Sequence, residues 1–165
     1  MKELDLANIE PQKEYKRIGA GGYIAKIGKV EDFPDKEYLK IEYDIAEGEF
    51  KDYYTELYVS KGFWGGTFFR SYKNTALSFF KSFVTSIENS NKGFVWTSNE
   101  QQLVGKLMGI VLGEELNPNK SDGSTRLYVD QVRSVESIRK GDYKVPPVKG
   151  KADAKTAFKG TEVSL

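Results

Sequence analysis

The chain has 165 residues, with 25 lysines and arginines against 24 aspartates and glutamates, and it contains neither cysteine nor histidine. That length suits a single domain. The missing residue types exclude disulfides, thiolate nucleophiles and zinc sites of cysteine and histidine, and they remove the usual general base near neutral pH. The net charge of +1 gives none of the overall basic imbalance that marks most nucleic-acid binders.

The amino terminus carries mixed charges and no apolar stretch that would indicate a signal peptide. No apolar run approaches the ~20 residues that a membrane-spanning helix needs. The absence of cysteine fits a reducing compartment. These features predict a cytoplasmic protein with no membrane partner.

Alternation of apolar and polar residues predicts the strands in chain order. The first strand contains Gly28, which marks a bend or bulge of the kind that curls a small barrel. The second has the cleanest pattern, with Leu39, Ile41, Tyr43 and Ile45 on one face. A short glycine-containing connection then predicts a hairpin between the second and third strands. The five predicted strands cover residues 23–30, 38–45, 50–59, 106–114 and 125–133.

One helix is predicted over residues 75–88, between the third and fourth strands. Its apolar residues recur at spacings of three and four, which is typical of a helix that buries one face. We expect this face to fill one end of a barrel. The predicted stripe consists of Leu77, Phe80, Phe83, Val84 and Ile87. Just before the helix, residues 67–72 follow a glycine-rich loop and are compatible with a further extended segment.

This order of elements favours a mainly β fold with one helix. Five strands with a helix between the third and fourth are expected of a five-stranded Greek-key barrel of the OB type. A small α+β sheet is the alternative fold. The predicted organisation is an N-terminal extension over residues 1–20, an OB-like barrel domain over 21–145 and a disordered tail over 146–165, where the composition becomes thin in large apolar residues.

Two long stretches of the chain resemble a known family. The first is GGYIAKIGKVEDFPDKEYLKIEYDIAEGEFKDYY, and the second is LVGKLMGIVLGEE, continued after a polar loop by TRLYVDQVRSVESIRKGDYKVPPVK. They resemble the two halves of small uncharacterised proteins from the replication and recombination modules of phages and prophages of Gram-positive bacteria. Members of that family are similar in expected fold to single-stranded DNA-binding proteins.

The resemblance implies a similar role on single-stranded DNA in the cytoplasm of a bacterial host, with phage replication or recombination proteins as further partners. It supplies no set of functional residues. The chain also departs from a common pattern, because bacterial single-strand binders often end in an acidic, aromatic-tipped tail that recruits partners. Here the last residues are KGTEVSL, which puts recruitment by that device in doubt.

Candidate binding residues follow from what a single strand requires, namely basic groups along the backbone and aromatic faces for the bases. The sequence interleaves the two types on the predicted strands and in the loop after the third. Trp64, which has glycines close by on both sides, is the leading single candidate. The candidate residues are Lys26, Lys29, Lys36, Tyr38, Lys40, Lys51, Tyr53, Trp64, Arg70, Tyr72, Lys73, Arg126, Tyr128 and Arg133.

Some of these aromatic and basic residues have a purely structural interpretation. Lysines often protect exposed edge strands. Tyr43, Phe50 and Phe69 are expected in the core, since barrels need large inward residues. Tyr53 and Tyr54 are neighbours on a predicted strand, so only one of them can face a ligand.

Catalysis has little support in the sequence. The carboxylates between positions 44 and 56 lack a recognisable nuclease spacing and suit a solvated hairpin tip. We therefore predict no enzymatic activity, no cofactor and no metal site, and a protein that binds single-stranded DNA stoichiometrically. The alternative is a protein-interaction or virion-structural β module that does not bind nucleic acid, which the near-neutral charge favours. A homo-oligomer is left open.

Overall fold

The computed structural model of the chain describes residues 1–11 and 16–150. Five antiparallel strands form a nearly closed barrel with a few helices, which confirms the mainly β prediction. The strands are β1 Gly21–Phe33, β2 Tyr38–Ile45, β3 Thr67–Ser71, β4 Leu107–Leu116 and β5 Thr125–Arg133. The helices are α1 Tyr53–Lys61, α2 Leu77–Ser90 and α3 Val135–Arg139, with 3-10 turns at Asn74–Ala76 and Glu100–Leu103. In the described ranges, no helix has the length and apolar character to cross a membrane.

The strands follow the order β3-β2-β1-β4-β5, so β1 pairs with both β2 and β4. The register of β1 against β2 shifts between Ile27 and Lys29, which confirms the predicted bulge at Gly28. The outermost strands of this order are β3 and β5, which are not hydrogen-bonded to each other. We call the gap between them the seam. Its upper end lies at the first residues of β3 and β5, and its lower end at their last residues.

The barrel core is built from alternate residues of the strands. All four apolar residues predicted on one face of β2 are buried, with exposed fractions of 0–3%. The α2 stripe joins the same core through Phe80, Phe83, Val84 and Ile87, as predicted. The prediction was wrong for Leu77, which begins α2 and is 47% exposed.

The predicted third strand over residues 50–59 and its hairpin with β2 are wrong, because residues 53–61 form α1. The chain turns sharply before the helix, and Asp52 takes the left-handed conformation with φ of 62°. The carboxylate of Asp44 on β2 then accepts hydrogen bonds from the backbone N–H groups of Tyr54 and Thr55, each at 2.9 Å. It thereby satisfies two donors that the first turn of a helix leaves open. Tyr53 and Tyr54 both turn into the core from that first turn, so they do not face opposite ways.

The role of Asp44 as a cap supplied by another element predicts a measurable loss of stability. We expect Asp44→Ala to lower the free energy of unfolding by about 1–2 kcal/mol, the usual cost of losing a helix cap. Urea unfolding of the variant measures this loss. Glu42→Ala is the matched control, since Glu42 is the preceding outward residue of β2 and caps no helix. Equal losses in the two variants would contradict the capping role.

Two buried tyrosines make the core sensitive to alkali. Burial raises the pKa of Tyr54 to about 12 and that of Tyr43 well above its ordinary value, and the two rings pack edge to face with centroids 5.5 Å apart. In the unfolded chain a tyrosine ionises near pH 10. Below that pH the protonated rings stabilise the fold fully, and the contribution is lost as pH rises from about 10 through 12.

We therefore expect the free energy of unfolding in urea to fall steeply between about pH 10 and 12, at up to about 1.4 kcal/mol per pH unit for each buried tyrosine. Tyr54→Phe should flatten this fall, because the ionisable group is gone. Tyr58→Phe is the control, since that ring is 52% exposed. The same slope in wild type and Tyr54→Phe would show that this ring does not set the alkaline limit.

Both predicted terminal segments contain residues that pack against the barrel. Ile18, within the predicted N-terminal extension, is 6% exposed and belongs to the core. The predicted tail begins with residues that pack on β4: the Lys149 N–H donates to the carbonyl of Glu114, and the Leu116 N–H donates to the carbonyl of Lys149. The rest of that predicted tail, residues 151–165, lies outside the described residues.

Candidate nucleic-acid interface

The outward residues of β2 lie at the centre of the candidate surface. Side chains of a strand alternate between its two faces. With the apolar set of β2 inside the barrel, Tyr38, Lys40, Glu42 and Asp44 face outward. The register places β1 on one side of them and β3 on the other. We call this surface the β2 face.

Three aromatic rings form a row across the β2 face. Phe33 of β1 lies opposite Tyr38 of β2, with ring centroids 5.2 Å apart. The Tyr38 ring meets that of Phe69 on β3, also at 5.2 Å and nearly perpendicular. Phe69 is 51% exposed, so the prediction that it lies in the core was wrong. Its neighbour Phe68 takes the inward position, and alternation turns Phe69 out, opposite Lys40.

Three predicted lysines face outward beside this row, and each has a carboxylate directly across the strand pair. Lys26 lies opposite Asp44, Lys29 opposite Glu42 and Lys40 opposite Glu31. Among the described residues, none of these three ammonium groups approaches a carboxylate within 4.0 Å. Since no ion pair holds them in place, these lysine heads are free to turn towards a phosphate.

Further predicted residues lie at the two ends of the β2 face. At one end a surface cavity of about 480 Å³ is lined by Lys26, Lys51 and Trp64, among others. At the other end, Lys36 lies in the turn that joins β1 to β2, and Lys73 follows β3. The face therefore runs along the whole of β2, roughly 26 Å at about 3.3 Å per residue, with lysines at both ends.

Trp64 is held in place rather than extended into solvent. Its indole Nε1–H donates to the carbonyl of Gly66 at 2.9 Å, and its ring lies 6.4 Å from that of Tyr54 and 6.2 Å from that of Tyr58. It is half-buried and packs against the core cluster. Replacing Trp64 would therefore disturb α1 as well as the end of the β2 face.

Two predicted tyrosines lie away from the β2 face. Tyr53 is 8% exposed, with its ring edge-on to Phe50 at 5.9 Å. Tyr72 donates its hydroxyl to Asp32 at 2.7 Å and packs against Phe80. Stacking a base on either ring would require these contacts to open.

The predicted arginines cluster at the seam rather than on the β2 face. Arg70 places its guanidinium 4.9 Å from the Phe68 ring and 5.7 Å from the Phe83 ring, and burial lowers its pKa. Arg133 lines the lower end of the seam with it, and Arg126 lines the upper end, where its Nε bonds Glu115 at 2.9 Å.

Tyr128 lies across the sheet on β5, with the Lys149 ammonium 4.3 Å from the centre of its ring. Its ring also lies against Gly113, where a Cβ would fall 2.7 Å from it. The structure thus brings neither Tyr128 nor the three arginines onto the β2 face.

Three of the five carboxylates between positions 44 and 56 have separate partners. Asp44 caps α1, Glu47 accepts from Arg139 at 2.7 Å, and Glu49 pairs with Lys16 at 2.9 Å. Across the part of the chain that the structure describes, no group of three or more acidic side chains could hold a metal ion.

No family model and no curated protein sequence matches the chain. The resemblance to the phage protein family therefore stays a prediction.

Proposed function

We propose that this chain is a non-catalytic single-stranded DNA-binding protein with an OB-type Greek-key barrel, and that the β2 face holds the strand. The observation that carries this proposal is the outward aromatic row of Phe33, Tyr38 and Phe69, with Phe69 51% exposed, flanked by lysines across β1 to β3. In OB folds the surface of strands 2 and 3 is the one that binds oligonucleotides. The action in phage replication or recombination rests on the family resemblance.

The arrangement of elements supports the OB-type assignment. The strand β1 is central and pairs with both β2 and β4, and α2 follows β3 and precedes β4 in the chain. The bulge at Gly28 bends β1, so that this one strand can pair with β2 on one side of the barrel and with β4 on the other. An OB-type barrel would also expose β2 and β3 side by side, as the β2 face requires.

Binding on this face would combine two contributions. Bases stack on Phe69 and Tyr38, each stack being worth about 1–3 kcal/mol without regard to sequence. Phosphates contact Lys29 and Lys40, and each contact releases a condensed counterion. Because each lysine–phosphate contact releases a counterion, we expect the affinity to fall as salt rises. The carboxylates opposite the lysines repel the same phosphates and lower the affinity at low salt.

The second candidate is a protein-interaction or virion-structural module that does not bind nucleic acid. The observation that favours it is the charge balance of the β2 face, where three lysines lie opposite three carboxylates. An outward-facing aromatic row on a charge-balanced surface also suits contact with a protein partner.

Titration of a fluorescent oligo-dT of about 30–40 nucleotides distinguishes the two candidates, since OB folds cover about 4–16 nucleotides each. We expect binding at low salt and weaker binding to a duplex of equal length. The slope of log affinity against log salt concentration should become shallower by about 1.4 in Lys29→Gln/Lys40→Gln, or ~0.7 per lost phosphate contact. Lys81→Gln, on α2, is the control and should keep the slope. No binding at low salt and micromolar protein would overturn the proposal in favour of the protein-interaction module.

A further inference from the structure

The first residues of the chain form an arm whose apolar side chains are in solvent. Leu4 is 57% exposed, and Leu6 and Ile9 are each 64% exposed. Leu4 and Leu6 alternate with Glu3 and Asp5, the pattern of a strand with one apolar and one acidic side. Burial of these side chains in a complex would be favourable, because it removes apolar surface from water.

The lower end of the seam has an unfilled apolar surface. A cavity of about 500 Å³ there is lined by Phe69, Phe79 and Phe83, among others. Phe79 on α2 is 74% exposed. The seam thus combines open volume with an aromatic ring that nothing covers in the described part of the chain.

The backbone of β3 is also open towards the seam. The Tyr43 N–H donates to the Gly66 carbonyl, and the Tyr72 N–H donates to the Glu37 carbonyl. Because backbone groups of an antiparallel strand alternate in direction, Phe69 turns its N–H and carbonyl away from β2. In the described residues its carbonyl accepts from its own neighbour Arg70, at 3.2 Å.

The guanidinium groups at the seam lack a full set of hydrogen-bond and ion-pair partners in the described residues. Arg70 has no carboxylate within ion-pair distance among the described residues. Arg133 has a buried Nε without a hydrogen-bond acceptor, and its closest carboxylate is that of Asp142 at 3.8 Å. One carboxylate, that of Asp130, also lines the seam, where it accepts from Gln131 at 2.9 Å. Arg70, which pairs with no carboxylate among the described residues, and the Arg133 Nε, which has no acceptor there, favour an acidic occupant.

We infer that the seam binds the N-terminal arm of a second copy of this chain, as a strand added to the free edge of β3. Leu4 and Leu6 cover the Phe79 side of the cavity, and Glu3 and Asp5 lie towards the two guanidinium groups. Strand addition is a common way for an extended segment to pair with an open sheet edge. The acidic and apolar alternation of the arm matches the mixed basic and aromatic lining of the seam.

The reach of the arm favours a neighbouring copy over its own seam. Arg17 and Ile18 line the upper end of the seam, so the arm leaves the barrel there. A chain running down its own seam from Ile18 would pass β3, which is about 17 Å long, within roughly five residues and well before Leu6. Fully extended, the stretch from Leu4 to Ile18 spans about 46–50 Å, enough to reach another molecule.

Disulfide trapping tests this contact directly, since the chain contains no cysteine of its own. One chain carries Leu6→Cys, and a second, distinguished by a mass tag, carries Ser82→Cys on the α2 side of the seam. Mixed under mild oxidation, they should form a cross-linked pair about tenfold faster than Leu6→Cys with the control Ser60→Cys on α1, because a disulfide forms only between nearby Cβ atoms.

Two results of the trapping experiment would overturn the inference. One is a rate no higher than that of the control pair. The other is an internal disulfide, without mixed pairs, in a chain that carries both cysteines, which would place the arm in its own seam. The readout uses no DNA, so it stands or falls independently of the proposed function.

Sedimentation of the full chain provides the second measurement. Wild type should associate as concentration rises, into closed dimers or longer assemblies according to whether the exchange is reciprocal. Leu4→Asp/Leu6→Asp should stay monomeric, while Val59→Asp, at an 81% exposed apolar residue of α1, should associate like wild type. If the wild-type chain remains monomeric up to about 100 μM, the inference is overturned, because a dissociation constant above that concentration is weak even for a transient complex.

Discussion

Replacing both Tyr38 and Phe69 by alanine should weaken binding to oligo-dT by about a hundredfold or more, because each ring supplies a base stack worth about 1–3 kcal/mol. The two rings are adjacent, with centroids 5.2 Å apart, so successive bases can use them together. Titration of wild type and variant at one low salt concentration measures the loss. The single variants should each lose part of it.

The double variant should remain folded, which makes the binding loss interpretable. Phe69 is 51% exposed, and Tyr38 is only half-buried and lies outside the barrel core. We expect far-UV circular dichroism to be unchanged and the free energy of unfolding to fall by less than a core truncation would cost, about 3–5 kcal/mol for a phenylalanine. The binding assay is then read on a folded protein.

Phe63→Ala is the matched control for this prediction. Phe63 is 56% exposed, like Phe69, but it follows α1 and lines the upper end of the seam. Its removal should leave the affinity for oligo-dT within about threefold, as expected of a residue that makes no base stack. If Phe63→Ala and the double variant lose affinity equally, the strand does not lie on the β2 face.

Gly66→Ala should destabilise the barrel by about 3 kcal/mol or more, the upper range for overpacking a tightly packed site. A Cβ at this position would fall on the carbonyl oxygen of Tyr43 and would lie 2.9 Å from the Tyr54 ring. The oxygen belongs to the backbone of β2 and cannot turn aside. Relief requires β3 to move away from β2, which breaks the hydrogen bond from the Tyr43 N–H to the Gly66 carbonyl.

Urea unfolding measures this effect, with Gly28→Ala as the control. A Cβ at Gly28 meets its nearest neighbour, the carbonyl oxygen of Glu42, at 3.9 Å, which is an ordinary contact. We therefore expect Gly28→Ala to change the free energy of unfolding by less than about 1 kcal/mol. A Gly66→Ala variant as stable as this control would show that β3 is not held as close to β2 as described.

The failure of the third predicted strand explains most of the differences between the expected and the observed site. Residues 50–59 have an apolar pattern that fits a short strand or a short helix, and periodicity alone does not separate the two. The deciding contact is the Asp44 carboxylate, which caps α1 from another element. Because the sequence analysis assigned the wrong partner strand to β2, it could not predict that Phe69 lies opposite Lys40.

Phe33 and Phe69 are the site residues that sequence reasoning missed. A signal for Phe69 existed in the pair Phe68-Phe69, since adjacent residues of a strand face opposite ways and only one can enter the core. Phe33 ends β1 beside the turn, and only its pairing with Tyr38 shows that it joins the row.

The sequence by itself determined the local features of this protein. The alternation of β2, the buried stripe of α2 and the bulge at Gly28 each depend on residues close together in the chain, so the pattern alone predicts them. Only the tertiary structure decided that 53–61 is a helix, that β3 pairs with β2, and that the arginines gather at the seam. These outcomes depend on contacts between distant residues, whose free energy outweighs the weak local preferences of short segments.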